Sequence, residues 1–168
     1  MCSSRRALRF ADLAFEQAQL SPCNFKHGAV ISKGSKIICK AYNNPRTKYL
    51  NWINCCSHAE MAVATKFINS YLPNNKISSR NKNKYYNLNN YIIWVVRISN
   101  PRADHLESTC VDSMPCKDCI HKLLKLGFKK IGYSDENGTI VIRNLEQINT
   151  DHLSNVQIMT EKYRKHFR

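Results

Sequence analysis

Tyr91-Ile92-Ile93-Trp94-Val95-Val96-Arg97-Ile98 is the stretch on which the architecture turns. Apart from Arg97 it consists of β-branched and aromatic residues, which suit a pleated, packed surface. The apolar side chains fall on both alternating faces, so the run reads as a central strand covered on both sides, and that requires helices above and below it. Upstream, Gly28-Ala29-Val30-Ile31 and residues 37–42 flank Lys33-Gly34-Ser35, a β-hairpin with a short glycine turn. Downstream, Lys130-Ile131-Gly132-Tyr133 and Thr139-Ile140-Val141-Ile142 surround Asp135-Glu136-Asn137-Gly138, a second turn signal.

The helices fall between these strands. Residues 3–20 carry Leu8, Ala11, Phe15 and Ala18 at helical spacing, with Ser3 or Ser4 to cap the start and Ser21-Pro22 to end it. A polar connection through 43–46 leads to a second helix over 57–68, with His58 and Glu60 in its first turn. A third runs over 116–126 through Ile120, Leu123 and Leu124, and Gly127 is placed to stop it. Residues 74–90, rich in Asn, Lys, Ser and Tyr, offer little to bury and read as a surface insertion. Residues 99–114 read as a loop, and 161–168 as a polar, basic tail.

At 168 residues and 19.5 kDa a single domain over 1–168 is the expectation. A hydrophobic share of 43% with five Gly and five Pro excludes collagen-like, mucin-like and wholly disordered chains. No window approaches the roughly 18 uninterrupted apolar residues of a spanning helix, so no membrane association is expected. Arg5, Arg6 and Arg9 precede no apolar core of a secretory signal, and Asp12 and Glu16 break the acid-free pattern of a transit peptide. A cytoplasmic location is the expectation, and the eight cysteines are then reduced thiols: metal ligands, catalytic groups or buried fillers.

The net charge of +14 is concentrated over residues 17–103, where thirteen Lys or Arg face one acid, Glu60. Such a stretch attracts phosphate on a nucleotide or a nucleic acid. Abundant Asn, Lys, Ile and Tyr also fit AT-rich coding drift, which raises Lys without selection for binding, although ten of the 26 basic residues are Arg.

Two short patterns carry chemistry: His58-Ala59-Glu60 and Pro115-Cys116-Lys117-Asp118-Cys119. Cys116 and Cys119 are three apart at a helix start, so their sulfurs share a face, and the helix dipole favours the thiolates that a metal requires. His58 can add a neutral imidazole nitrogen. Three protein ligands leave a tetrahedral position open for water, the arrangement of a catalytic rather than a structural Zn2+. Glu60 beside that water can take its proton and return it to the substrate. The two patterns resemble the signature of zinc nucleobase deaminases, and that resemblance implies attack of zinc-bound hydroxide on an amidine carbon, cytosine C4 or adenine C6, with loss of ammonia. Backbone N–H groups of Ala59 and the Cys116 region would face the ring. A lone C-x-x-C is also half of a zinc ribbon or a redox pair, but no second C-x-x-C exists and the proline precedes the pair. Cys55 and Cys56 either extend the site, form a second metal site with Cys110, His105 or Cys23, or are buried as small apolar residues, the commoner fate.

In this order the two patterns match the H-x-E and P-C-x-x-C signature of zinc nucleobase deaminases. Over about residues 25–135 the chain resembles the zinc-dependent cytidine and deoxycytidylate deaminase superfamily, through Gly28-Ala29-Val30-Ile31, Tyr42-Asn43, His58-Ala59-Glu60 and the Pro115-Cys116-x-x-Cys119 segment. The resemblance implies an α/β fold, a three-layer α/β/α cytidine-deaminase-like sandwich with a central mixed sheet of about five strands. It also implies a homo-oligomer, and an Asn after the second strand that contacts sugar or base, for which Asn43 fits and Asn44 is the alternative. Two features depart from the pattern. The interval from Glu60 to Pro115 is long, and the turn at 135–138 predicts a hairpin where deoxycytidylate and tRNA deaminases usually place a helix.

The function this implies is zinc-dependent hydrolytic deamination of a cytosine nucleotide or nucleoside. Tyr42-Asn43 and Tyr133-Ser134-Asp135 are similar to the deoxycytidylate branch. Arg46 is the sequence's candidate for a phosphate contact. One alternative is a polynucleotide deaminase acting on tRNA or single strands, for which the basic half and Tyr85, Tyr86 and Tyr91 argue; another is an inactive zinc-stabilised nucleic-acid-binding module, which would have no use for Glu60. On the mononucleotide reading, the basic half gives only weak nucleic-acid binding.

Overall fold

The computed structural model describes residues 4–46, 48–50, 52–53, 56–72, 87–99, 109–153 and 158. The elements are α1 (Arg5–Gln19), β1 (Lys26–Lys33), β2 (Lys36–Tyr42), β3 (Lys48–Tyr49), β4 (Trp52–Ile53), α2 (Ala59–Tyr71), β5 (Tyr91–Ile98), β6 (Cys110–Val111), α3 (Lys117–Leu126), β7 (Lys130–Ser134), β8 (Ile140–Asn144) and a 3₁₀ turn at Leu145–Gln147. The main sheet has the order β2-β1-β5-β7-β8, with short β6 added beside β5. Its pairs are antiparallel except β5 with β7, which is parallel. β5 is therefore the central strand, and the expected mixed sheet of about five strands is present with one short addition.

Alternation along β5 assigns the layers. Trp94, Val96 and Ile98 pack with Val30 under α1, whereas Ile93 and Val95 pack with Ala29 and Ile31 under α2 and α3. α1 thus covers one face and the other two helices the opposite one, giving three layers. Trp94 donates its indole N–H to Ser32 Oγ at 2.8 Å, so its polar atom is satisfied inside the core.

The inward face of α1 is Ala7, Phe10, Ala11, Ala14 and Ala18. This differs from the stripe expected through Leu8 and Phe15, since Leu8 is 46% exposed. The reason is close approach: a Cβ on Gly28 would lie 1.9 Å from the Ala14 carbonyl oxygen, so the helix lies nearly against the backbone of β1 and only small residues fit between. Ser4 caps α1 by accepting from the Ala7 N–H at 3.2 Å. α3 stops at Gly127, whose φ of 95° is the left-handed geometry expected there.

The hairpin predicted around 135–138 is the β7–β8 pair, with Asp135 Oδ1 accepting from Asn137 N–H and Thr139 N–H, both at 2.9 Å. β6 lies in the segment read from sequence as a loop, and β3 and β4 between the connection at 43–46 and the second helix, where no element is expected; each is two residues long, too short for a periodic signal. Of the proposed insertion, 74–86 lies outside the described residues. Its last four residues are described, and Leu88 among them is buried in the core. The proposed tail at 161–168 also lies outside the described residues. No helix among the described residues is long and apolar enough to cross a membrane.

Candidate metal centre and pocket

Two helix starts face each other at the end of the sheet. His58 is the N-cap of α2 and Cys116 the N-cap of α3, both in extended backbone geometry, and neither side chain makes a capping hydrogen bond to its own helix. The start of α2 is fixed by a bridge in which Asn44 N–H donates to Ser57 O at 3.1 Å and Ser57 N–H to Asn44 O at 2.9 Å. The start of α3 is fixed through Ser113. Its hydroxyl donates to Val95 O on β5 at 2.9 Å and accepts from Ser134 N–H on β7 at 2.9 Å, while its own N–H donates to Ser134 O at 2.8 Å. Both ends are thereby referenced to the sheet.

These anchors bring His58 Nδ1 to 3.6 Å from Cys116 Sγ and 3.3 Å from Cys119 Sγ. A tetrahedral zinc with ordinary bond lengths separates a nitrogen from a sulfur ligand by about 3.6 Å. The donor set, one imidazole and two thiols with ligand atoms within 4.8 Å of one another, is a group that can hold a metal ion. It is the only such group of three or more among the described residues.

Hydrogen bonds and burial set the protons of the three donor groups. Hydrogen bonding from Cys119, with further help from His58, brings the Cys116 thiol down to about 4 despite burial. Burial opposes charge on His58, but hydrogen bonds to Cys116 and Cys56 and the proximity of Glu60 outweigh it and push the imidazole up to about 11. The proton shared with Cys116, together with burial, keeps the Cys119 thiol well above its ordinary value. Glu60 is 5% exposed, and burial raises its carboxyl above the usual range.

Cys116, His58 and Glu60 line a pocket of about 370 Å³, the size of a small-ligand site. Asn43 lines it too, but is heavily committed: Oδ1 accepts from Ser21 Oγ–H at 2.7 Å and His27 N–H at 2.8 Å, and Nδ2 donates to Phe25 O at 2.7 Å. Both lone pairs of Oδ1 are filled, which leaves one amide hydrogen for a ligand. Ala59 is fully buried in the first turn of α2. Arg46 is not brought to the site: it is exposed, does not line the pocket, and donates its backbone N–H to Asn44 Oδ1 at 3.0 Å.

The pocket also contains residues the motifs did not indicate. Arg97, His27, Phe25 and His152 line it. Burial lowers His27 to about 4, its bond to Phe25 O opposing and the Arg97 charge assisting the shift, so the ring is neutral at pH 7. The one signal for Arg97 was its isolation as a charge within an apolar strand. Cys23 and Cys56 line the pocket as well, Cys110 packs half-buried under α1, and Cys55 lies outside the described residues. Cys39 is buried beneath α2, its thiol pushed up by burial to about 12, and is inert.

Residues 1–135 match the family described as the cytidine and deoxycytidylate deaminase zinc-binding region, and the chain belongs to that family. The chain is similar to two solved proteins. One is the dCMP deaminase of cyanophage S-TIM5, at 17% identity and a TM-score of 0.52 over 79% of this chain and 85% of that one; it has also been crystallised with dCMP and dUMP. The other is the cytidine deaminase of Burkholderia pseudomallei, at 14% identity and a TM-score of 0.56 over 90% of this chain and the whole of that one. At such identities the likeness is one of fold. No curated protein matches the chain.

Proposed function

We propose that this protein is a zinc-dependent hydrolytic deaminase of a cytosine nucleotide or nucleoside, acting in the cytoplasm, with His58, Cys116 and Cys119 holding the metal. The observation that carries the reading is the buried carboxyl of Glu60 in the same pocket as the metal-ligating cluster. A purely structural metal site gains nothing from a buried acid, whereas hydrolysis of an amidine needs a proton carrier.

Zinc, when bound, supplies Lewis-acid activation of water. Glu60 carries one proton of the attacking water to the ring nitrogen and then the second, from the hydroxyl formed at C4, to the departing amino group, so that cytosine and water become uracil and ammonia. Burial raises the Glu60 carboxyl above its ordinary range, which favours its holding the proton between the two transfers. The ring stands over the start of α2, where the first-turn N–H of Ala59 offers a donor to the carbonyl side. The free amide hydrogen of Asn43 is the donor available to the sugar.

The test is incubation of zinc-loaded protein with a panel of nucleosides, nucleotides and short oligonucleotides, measuring ammonia together with product mass. Release of ammonia with a one-mass-unit gain on a cytosine mononucleotide or nucleoside is the expected result. Deamination confined to oligonucleotides would move the protein to the polynucleotide class.

A further inference from the structure

Arg97 is the only charged residue of β5, and its register explains where it sits. It pairs with His27 across β1 and β5, so both side chains leave the sheet on the same face. That face continues the apolar stripe of Ile93 and Val95 beneath α2 and α3, and the stripe ends at the pocket. The guanidinium carbon lies 5.2 Å from the centre of the Phe25 ring, at the pocket rim, with the ring 62% exposed. Among the described residues no carboxylate forms an ion pair with it. Glu60, the one acid lining the pocket, is the proton carrier.

A half-buried guanidinium stacked on an aromatic face has restricted motion, which favours presentation of its N–H fork to an anion with matching geometry. Phosphate is such an anion, and Arg binds it through paired charge-assisted hydrogen bonds. His27 beside it is neutral; its Nδ1–H is directed to Phe25 O at 3.1 Å, leaving Nε2 as an acceptor suited to a sugar hydroxyl and not to an anion. Resting on the deaminase reading, we infer that Arg97 is the specificity-determining residue of this site: it binds the phosphate of a nucleoside monophosphate and makes the protein discriminate against free nucleosides.

The experiment measures binding by calorimetry in the zinc-loaded protein carrying Glu60→Gln, which spares the substrate, with deoxycytidylate, deoxycytidine, 2-deoxyribose 5-phosphate and a short single-stranded oligonucleotide as ligands. Arg97→Ala and Arg97→Lys are compared in the same background, and steady-state rates are taken with Glu60 restored. Deoxycytidylate should bind roughly 10- to 100-fold more tightly than deoxycytidine. Arg97→Ala should abolish that difference with nucleoside affinity unchanged, and Arg97→Lys should keep part of it. In turnover the loss should fall on KM for the nucleotide. Phosphate-dependent binding that vanishes with Arg97, in a protein without turnover, would support this inference and refute the deaminase reading. Equal affinity for nucleotide and nucleoside, equal weakening of both by Arg97→Ala, or tighter Arg97-dependent binding of the oligonucleotide than of any monophosphate would each overturn it.

Discussion

Ser113→Ala tests whether the cysteine pair is held by the sheet. Ser113 is 3% exposed and Ser134 fully buried, so water does not replace what the hydroxyl supplies. Deletion of Oγ removes the acceptor of Ser134 N–H at 2.9 Å and a donor to Val95 O at 2.9 Å. An orphaned buried N–H costs about 1–3 kcal/mol and the lost bond to the carbonyl about 1 kcal/mol, for a total of roughly 2–4 kcal/mol. For a chain of this size each kcal/mol lowers Tm by about 2–4 °C. Urea unfolding of the metal-free protein should show a midpoint lowered by roughly 1–2 M at unchanged slope. Metal affinity should fall too, because Cys116 follows Ser113 by three residues. A loss below about 0.5 kcal/mol, typical of an ordinary surface position, would refute the account, as would lost stability with undiminished metal affinity.

Glu60→Gln should retain the metal and the fold while turnover on a confirmed substrate falls by about 10²- to 10⁴-fold, since an amide carries no proton; retained activity removes Glu60 from the mechanism. Cys116→Ser should purify without the zinc that the wild type holds when expressed in zinc-replete medium, as metal analysis will show. His27 sets a pH dependence of stability. Its folded pKa of about 4 lies below the ordinary value near 6.5, so the unfolded chain binds the proton first, and this contribution is complete above pH 6.5 and lost as pH falls toward 4. The loss is about 3 kcal/mol over that window, and His27→Gln should flatten the difference in unfolding free energy between pH 7 and pH 4.5.

Which parts were legible in the sequence follows from the range of each interaction. The central strand, the two hairpins and the stop at Gly127 depend on residues adjacent in the chain, and all are present. His58, Glu60, Cys116 and Cys119 were legible because the spacing of each motif fixes its geometry at one helix start. The inward face of α1 was not, because large apolar side chains draw a reading toward Leu8 and Phe15, whereas the separation between helix and strand is set by Gly28 on another element. Arg97 was hidden for the same reason: its alignment with His27 is a matter of register between strands more than sixty residues apart. Arg46 was favoured by its nearness in sequence to Asn44, and that nearness does not carry its side chain into the pocket.

The β7–β8 hairpin decides what forms the remaining wall of the pocket. Because β8 is antiparallel to β7, the chain leaves it at Asn144, opposite Lys130 and beside the C-terminal end of α3. The pocket lies at the other end of that helix, by Cys116. Ten helical residues span about 15 Å, and the 3₁₀ turn at Leu145–Gln147 and the five residues from Ile148 to His152 that follow it are together long enough to cover that. They do so with Leu145 fully buried and Ile148 packed on the core, and they arrive where Lys117 N–H, an unpaired group of the first turn of α3, donates to His152 O at 3.1 Å. His152 therefore enters the pocket wall as a consequence of strand direction. A crossover helix would have made β8 parallel and released the chain at the pocket end, with the flank of α3 left for some other segment to cover.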